Sequence, residues 1–213
     1  MINLHLGDCL EAMKEMPDNT YDLAIVDPPY GIHRDGQTET HTKLKRHKRK
    51  YFESKGWDKE IPQREYFLEL FRVSNNQIIW GANYFVEFLP SSMGWIFWDK
   101  GQDLTMSDGE LAFSSFQRAL RRKVINRGQL VKEGGTIHPT QKPVKLYEWL
   151  LDNYAKEGDK ILDTHLGSGS IALACHNRKF DLDAWEIDEE YYNNAVERLD
   201  THKSQLTIFD IGG

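Results

Sequence analysis

Asp27-Pro28-Pro29-Tyr30 sets a carboxylate, two fixed φ angles and an aromatic ring in four consecutive positions, directly after the apolar run Leu23-Ala24-Ile25-Val26. Neither proline has an N–H to give to a sheet ladder, so a strand must stop there. What the strand end then offers is an acceptor pair, the Asp27 carboxylate and the Pro28 carbonyl, on a backbone with little freedom to turn away. Such a pair works by positioning and electrostatics on a group that donates hydrogen bonds. A second constellation runs from Ile161 to Cys175 and reads as strand, glycine turn and helix. Gly167 and Gly169, with Ser168 between them, let the backbone approach a ligand, and the helix start adds orphan amides. Glu186 follows at the end of the next strand, where a carboxylate can accept both hydroxyls of a ribose. Together these features point to a nucleoside-bearing cofactor. The run Gly167-Ser168-Gly169-Ser170-Ile171-Ala172 also satisfies the dinucleotide pattern, so a nicotinamide cofactor stays open on this motif. No lysine follows the turn, which excludes a P-loop.

The elements that must position these groups alternate along the chain. Ile2–Leu6 reads as a strand, and Asp8 is a natural N-cap for a helix beginning at Cys9. Residues 21–26 form the strand that ends in the double proline. Residues 31–60 lose periodicity and become polar and basic, which predicts a mobile loop. Pro62 opens a helix, followed by strands over Gln77–Ala82 and Met93–Asp99. Glu110–Phe116 and Arg121–Asn126 predict a hairpin or two edge strands, and residues 126–137 a loop. The strongest helix begins after Pro143, with Val144, Tyr147, Leu150, Leu151 and Tyr154 on one face and Gly158 at its end. Strand, helix, strand and helix complete the chain. This alternation implies an α/β fold with a mostly parallel, doubly wound, Rossmann-like sheet, in one domain over 1–213.

Composition narrows the setting. The chain has 213 residues, 39% of them hydrophobic, enough for one domain with a sizeable core. No apolar run is long enough to span a bilayer, and no secretory leader precedes the first strand. The only two cysteines, Cys9 and Cys175, form no CxxC pair, which predicts a reducing, cytoplasmic setting without a thiolate zinc site. Net charge is −6, yet basic residues cluster. Lys43, Lys45, Arg46, Lys48, Arg49 and Lys50 fall within eight positions, and Arg118, Arg121, Arg122, Lys123 and Arg127 form a second group. Such asymmetry can create a local positive face suited to phosphates.

With these motifs in order, the chain resembles the S-adenosylmethionine-dependent DNA amino-methyltransferases of the beta class. Asp27–Tyr30 looks like the catalytic motif. His138-Pro139-Thr140-Gln141-Lys142-Pro143 looks like the segment before the helix beside the cofactor's methionine part. Asp163–Ser170 looks like the family's D-P-F-x-G-S-G-T, with Thr164 and His165 standing where the family has Pro and Phe. Gly7-Asp8 matches the acid that meets the cofactor's adenine, with Cys9 beside it.

The resemblance implies S-adenosylmethionine held by Asp8, Cys9, Asp27, Lys142, Asp163, His165, Gly167, Ser168, Gly169 and Glu186. It implies catalysis by Asp27, Pro28, Pro29 and Tyr30 on the exocyclic amine of a flipped-out base. In that chemistry, hydrogen bonds to Asp27 and the Pro28 carbonyl draw the amine toward tetrahedral geometry and turn its lone pair to the methyl group. Tyr30 would replace the stacking given up on extrusion, worth about 1–3 kcal/mol, and no metal is required. An Asp at the head of the motif favours adenine N6, with cytosine N4 the first rival. An RNA methyltransferase, an NAD enzyme and a catalytically silent DNA-binding module are further rivals. Double-stranded DNA is the implied partner, met by the basic loop over about 31–60 and a short recognition segment over about 100–135. The family also admits a homodimer and a cognate restriction endonuclease as partners, and so a place in restriction–modification.

Overall fold

The computed structural model describes residues 1–36, 51–101, 107–126 and 128–210. Among the described residues, eight strands form one sheet: β1 (Ile2–Leu6), β2 (Tyr21–Val26), β3 (Ser74–Trp80), β4 (Ile96–Asp99), β5 (Gly109–Ser114), β6 (Arg121–Val124), β7 (Lys160–Asp163) and β8 (Asp181–Glu186). Their spatial order is β1-β8-β7-β2-β3-β5-β4-β6. Every neighbouring pair is parallel except those made by β5, which runs against both β3 and β4. The sheet is therefore mostly parallel, and the α/β reading holds.

The described residues hold six α-helices: α1 (Cys9–Lys14), α2 (Arg64–Val73), α3 (Gly128–Lys132), α4 (Val144–Tyr154), α5 (Ser170–Arg178) and α6 (Glu189–Asp210). The period of two along β2 explains the layering. Leu23 and Ile25 point into a core shared with α4, α5 and α6. Ala24 and Val26 point the other way, into a core with Met13 of α1 and Tyr66, Phe67, Leu70 and Val73 of α2. β2 is thus buried on both faces, as a central parallel strand should be. No helix among the described residues is long and apolar enough to cross a membrane.

Several boundaries differ from expectation. α2 begins at Arg64, with Gln63 at its N-cap, so Pro62 lies outside it. α4 stops at Tyr154, and Gly158 shapes the following turn instead. β5 and β6 do not form a hairpin: Ala112 and Phe113 are fully buried and take β5 inside the sheet, while the charged Arg121-Arg122-Lys123 face suits β6 to the edge. α3 occupies part of the expected loop over 126–137.

Within the expected loop over 31–60, the described residues form no helix and are tied by hydrogen bonds. Asp58, 2% exposed, accepts hydrogen bonds from the amides of Tyr30 (2.7 Å) and Gly31 (2.9 Å) at Oδ1, and from Arg34 (2.7 Å) at Oδ2. The equally buried Asp35 accepts from Ser54 (2.9 Å) and from the amide of Gly56. These bonds fasten residues 30–36 and 51–58 into one strap. The predicted phosphate contacts Lys43, Lys45, Arg46, Lys48, Arg49 and Lys50 lie outside the described residues.

Candidate active site

The parallel strands end together, and the site lies at that carboxyl edge, where ligands bind in such folds. Asp27 follows β2 directly. Its Oδ1 accepts a 2.5 Å hydrogen bond from the Tyr30 hydroxyl, and its Oδ2 pairs with the Lys142 ammonium. Lys142 comes from the segment before α4 and has a side chain only 2% exposed. It also meets Glu110 Oε2 (3.1 Å), whose Oε1 meets Lys100 Nζ (3.0 Å). Two acids and two lysines thus alternate as Asp27–Lys142–Glu110–Lys100.

Burial pushes the Asp27 carboxyl above its ordinary value, while the Lys142 charge pulls it back. Glu110 meets the same burial but lies below its ordinary value, because two lysines face it. Lys142 is held above its own, burial notwithstanding, by the two carboxylates. Glu110 and Lys142 therefore keep their charges at neutral pH. A buried pair costs desolvation, and only this mutual pairing offsets it.

These groups open onto a cavity of about 1010 Å³, lined also by Pro28, Pro29, Tyr30 and Tyr84. The Tyr30 ring stacks on Tyr84 with centroids 5.2 Å apart and planes within 14°. Gly81, in the left-handed region at φ +67°, lies beneath it: a Cβ there would stand 2.0 Å from the ring. Only glycine lets the end of β3 come this close.

The second constellation sits along the same edge. Asp8 caps α1 through Oδ1, accepting from Leu10 (2.7 Å), with Cys9 as the first helical residue. Burial raises the Cys9 thiol to about 12, so it stays neutral. Glu186 closes β8 and accepts the Gly167 amide (2.8 Å) at Oε2 and the Asp188 amide (2.9 Å) at Oε1. This ties the glycine turn to the acid that follows it. Asp163 ends β7, accepts the His165 amide (3.0 Å) and is 3% exposed. Burial, then the charges of Asp27 and Glu186, raise it to about 8. Neither Asp163 nor Glu186 forms an ion pair with a lysine or arginine among the described residues. A ligand that is cationic near Asp163 and donates hydroxyls to Glu186 fits this donor set. His165 is held at about 4 by burial, and it joins a chain from Tyr66 through Thr164 (2.7 and 2.9 Å). Gly169 turns at φ +71° into α5, and Ser168 Oγ meets Ser170 Oγ at 3.1 Å.

A strap lies beside this turn. Lys55 bridges Asp188 and Glu190, each at 2.7 Å, and Trp57 stacks on His138 at 5.2 Å. His138 also packs edge-on against Tyr191 and lies 3.6 Å from where a Gly167 Cβ would be.

Two expectations are revised by placement. Lys142, expected among the cofactor's ligands, reaches Asp27 and Glu110. The described members of the second basic cluster do not come to the cavity. Arg118 precedes β6, at the edge opposite the site, donates to the Asn153 carbonyl (2.5 Å) and lies over Tyr154. Arg121 pairs with Ile96 at the start of the strand, Arg122 is held by Asp99 (2.5 Å) and Lys123 lies over Trp149. None of these four lines the cavity, and Arg127 lies outside the described residues. Sequence reasoning missed Glu110, Lys100, Asp58, Tyr84 and Gly81. A glutamate at the head of an apolar strand was the one available signal, since a buried acid requires a buried base.

Comparison with known proteins agrees with this geometry. The family model N6_N4_Mtase, described as DNA methylase, matches residues 79–197, more than half of the chain. The type II methyltransferase M.HpaI of Haemophilus parainfluenzae is 26% identical over 250 residues, covering 96% of this chain and 75% of that protein. Among solved structures, the M1.HpyAVI–SAM complex superposes with a TM-score of 0.63 at 21% identity, over 93% of this chain and 100% of the other. The cytosine-N4-specific PvuII DNA methyltransferase gives 0.60 at 13%, over 92% and 86%. The chain therefore belongs to the N6_N4_Mtase family of DNA methylases.

Proposed function

We propose that this enzyme methylates the exocyclic N6 amine of an adenine extruded from double-stranded DNA at a specific sequence. The observation that carries the reading is the Asp27 carboxylate, held between Tyr30 and Lys142 at the floor of a cavity large enough for a base. S-adenosylmethionine is the methyl donor, and when bound it supplies an electrophilic methyl on a sulfonium. Asp163, Glu186, Asp8 and the turn Gly167-Ser168-Gly169 are the groups that would hold it, with Cys9 and His165 alongside.

Asp27 accepts one N–H of the target amine, and the Pro28 carbonyl accepts the other. The amine lone pair is thereby freed from the ring and aimed. Asp27 then stabilises the positive charge developing on nitrogen and takes its proton. A carboxyl pushed upward by burial is a better acceptor for that proton than one in water. Tyr30, backed by Tyr84 and Gly81, offers a rigid ring for the extruded base. The adenine assignment rests on an aspartate heading the motif. Duplex DNA is the partner, and a second copy of the chain and a cognate endonuclease are further partners the family admits.

Incubation with methyl-labelled cofactor and mixed genomic DNA, followed by mapping of the modified base, tests the reading. N6-methyladenine in a defined sequence context is expected. N4-methylcytosine would refute the base assignment, and unlabelled DNA the activity. Asp27→Ala should lower transfer by at least 10²–10³-fold and leave cofactor affinity within about threefold, because Asp27 acts on the amine.

A further inference from the structure

We infer that Lys142 is a base-reading residue, donating to the ring nitrogen beside the target amine while Asp27 accepts from the amine itself. The inference rests on the proposed base-methylating reading and extends it to how the site tells one base from another.

The argument begins with the valence of the ammonium. Lys142 Nζ has three N–H donors and no acceptor. Two point at carboxylates, Asp27 Oδ2 and Glu110 Oε2. The third faces the Tyr30 hydroxyl oxygen at 3.2 Å, the longest of the three distances. That hydroxyl already gives its proton to Asp27 Oδ1. The third donor is therefore the one that a better acceptor entering the cavity would take over.

The geometry of that acceptor follows. Asp27 and Lys142 touch, so an acceptor and a donor stand side by side on the cavity wall. Adenine presents the complement, an N6–H donor next to the N1 acceptor, and so does cytosine with N4–H and N3. Guanine and thymine present a carbonyl next to an N–H. Either would set oxygen against the Asp27 carboxylate and a proton against the ammonium. Unpaired buried groups of this kind reject the wrong partner more strongly than a poor apolar fit does. The pair therefore accepts the N6/N1 edge of adenine or the N4/N3 edge of cytosine and refuses the carbonyl edges of guanine and thymine before any methyl moves. Glu110 and Lys100 complete the device as positioning residues. Glu110 anchors the ammonium from the side away from Asp27, and Lys100 keeps Glu110 charged.

The test uses the full chain and a duplex carrying its mapped site, with the target adenine either natural or replaced by 1-deazaadenine, whose N1 is a C–H. The wild-type enzyme should show kcat/KM about 10- to 100-fold lower on the analogue, the size of one charged hydrogen bond. Weakened pairing of the analogue eases extrusion, so pairing cannot account for a decrease. In Lys142→Met the ratio between substrates should fall to within about twofold, and Lys142→Arg, which keeps a donor, should retain discrimination. The same ratio read as equilibrium affinity, with S-adenosylhomocysteine present, needs no turnover of a variant. Equal use of both duplexes by the wild type, or discrimination undiminished in Lys142→Met, overturns the inference. A site mapped to cytosine would refute the adenine assignment alone, and 3-deazacytosine would then serve in the same arms.

Discussion

Asp163 gives the sharpest prediction of the site, because its chemistry is set by what surrounds it. The carboxyl is 3% exposed at the end of β7, with one hydrogen bond from the His165 amide and the charges of Asp27 and Glu186 nearby. It titrates at about 8, so at pH 6.5 nearly every molecule of the cofactor-free protein carries a proton there. A sulfonium and ammonium ligand stabilises the carboxylate and expels that proton. Binding at pH 6.5 should therefore release roughly one proton, and affinity should rise by about tenfold per pH unit from 6 toward 7.5. His165, at about 4, and Cys9, at about 12, stay neutral throughout and add nothing to the slope. Above pH 8 the ligand's own amine, near 7.7–8.0, loses its charge, so affinity peaks rather than climbing on. Titration calorimetry in two buffers of different ionisation enthalpy counts the proton. Asp163→Asn should abolish both the release and the slope. The sign for stability follows from the same raised pKa. The cofactor-free protein loses stability as pH rises from about 4 through 8, so Asp163→Asn should raise Tm at pH 8 and not at pH 4. No proton released at pH 6.5, or an Asn variant that keeps the slope, refutes the reasoning.

Three further expectations concern other residues. Glu186→Gln removes a charge that serves two backbone amides and the expected ribose contact, so cofactor affinity should fall about 10- to 100-fold; calorimetry showing undiminished affinity would remove Glu186 from the cofactor site. Gly81→Ala drives a methyl to 2.0 Å from the Tyr30 ring, and such overpacking costs about 1–3 kcal/mol. Its melting temperature should drop and methyl transfer should slow, whereas an unchanged melt would count against the close approach. Replacing Lys43, Lys45 and Lys48 by Gln should flatten the plot of log affinity for DNA against log salt by about 0.9 for each phosphate the protein no longer neutralises; an identical slope would assign those lysines to solvent.

Much of the architecture was legible because periodicity and punctuation agree along the chain. The double proline fixed where β2 ends, Asp8 announced α1, and the 3.6-residue spacing from Val144 to Tyr154 announced α4. The glycine turn and Glu186 were legible as a pair because they lie one strand–helix–strand unit apart, and the Gly167–Glu186 hydrogen bond is that pairing made physical. What escaped depends on contacts remote in sequence. Asp58 orders the chain after the catalytic motif from 28 residues away, and nothing in its neighbourhood signals burial. Lys142 reaches Asp27 across 115 positions, which no local pattern encodes. Arg118 and Arg122 looked like phosphate ligands by composition, yet an aromatic ring and an aspartate within the fold engage them. Charge counts in a sequence report how many cations there are, not which of them are already spoken for.

The reversed direction of β5 carries a consequence for how such a molecule can diversify. In a uniformly parallel sheet, a wall of the base cavity would be drawn only from strand-to-helix connections. Here the amino end of β5 meets the carboxyl edge, so Gly109 and Glu110 reach the cavity from a strand-to-strand connection that began at Lys100. That connection can lengthen, shorten or change residues without shifting the Ile78–Ser114 or Ile96–Ala112 register that anchors β5. Innovation at the rim is thereby uncoupled from the hydrophobic layers beneath it.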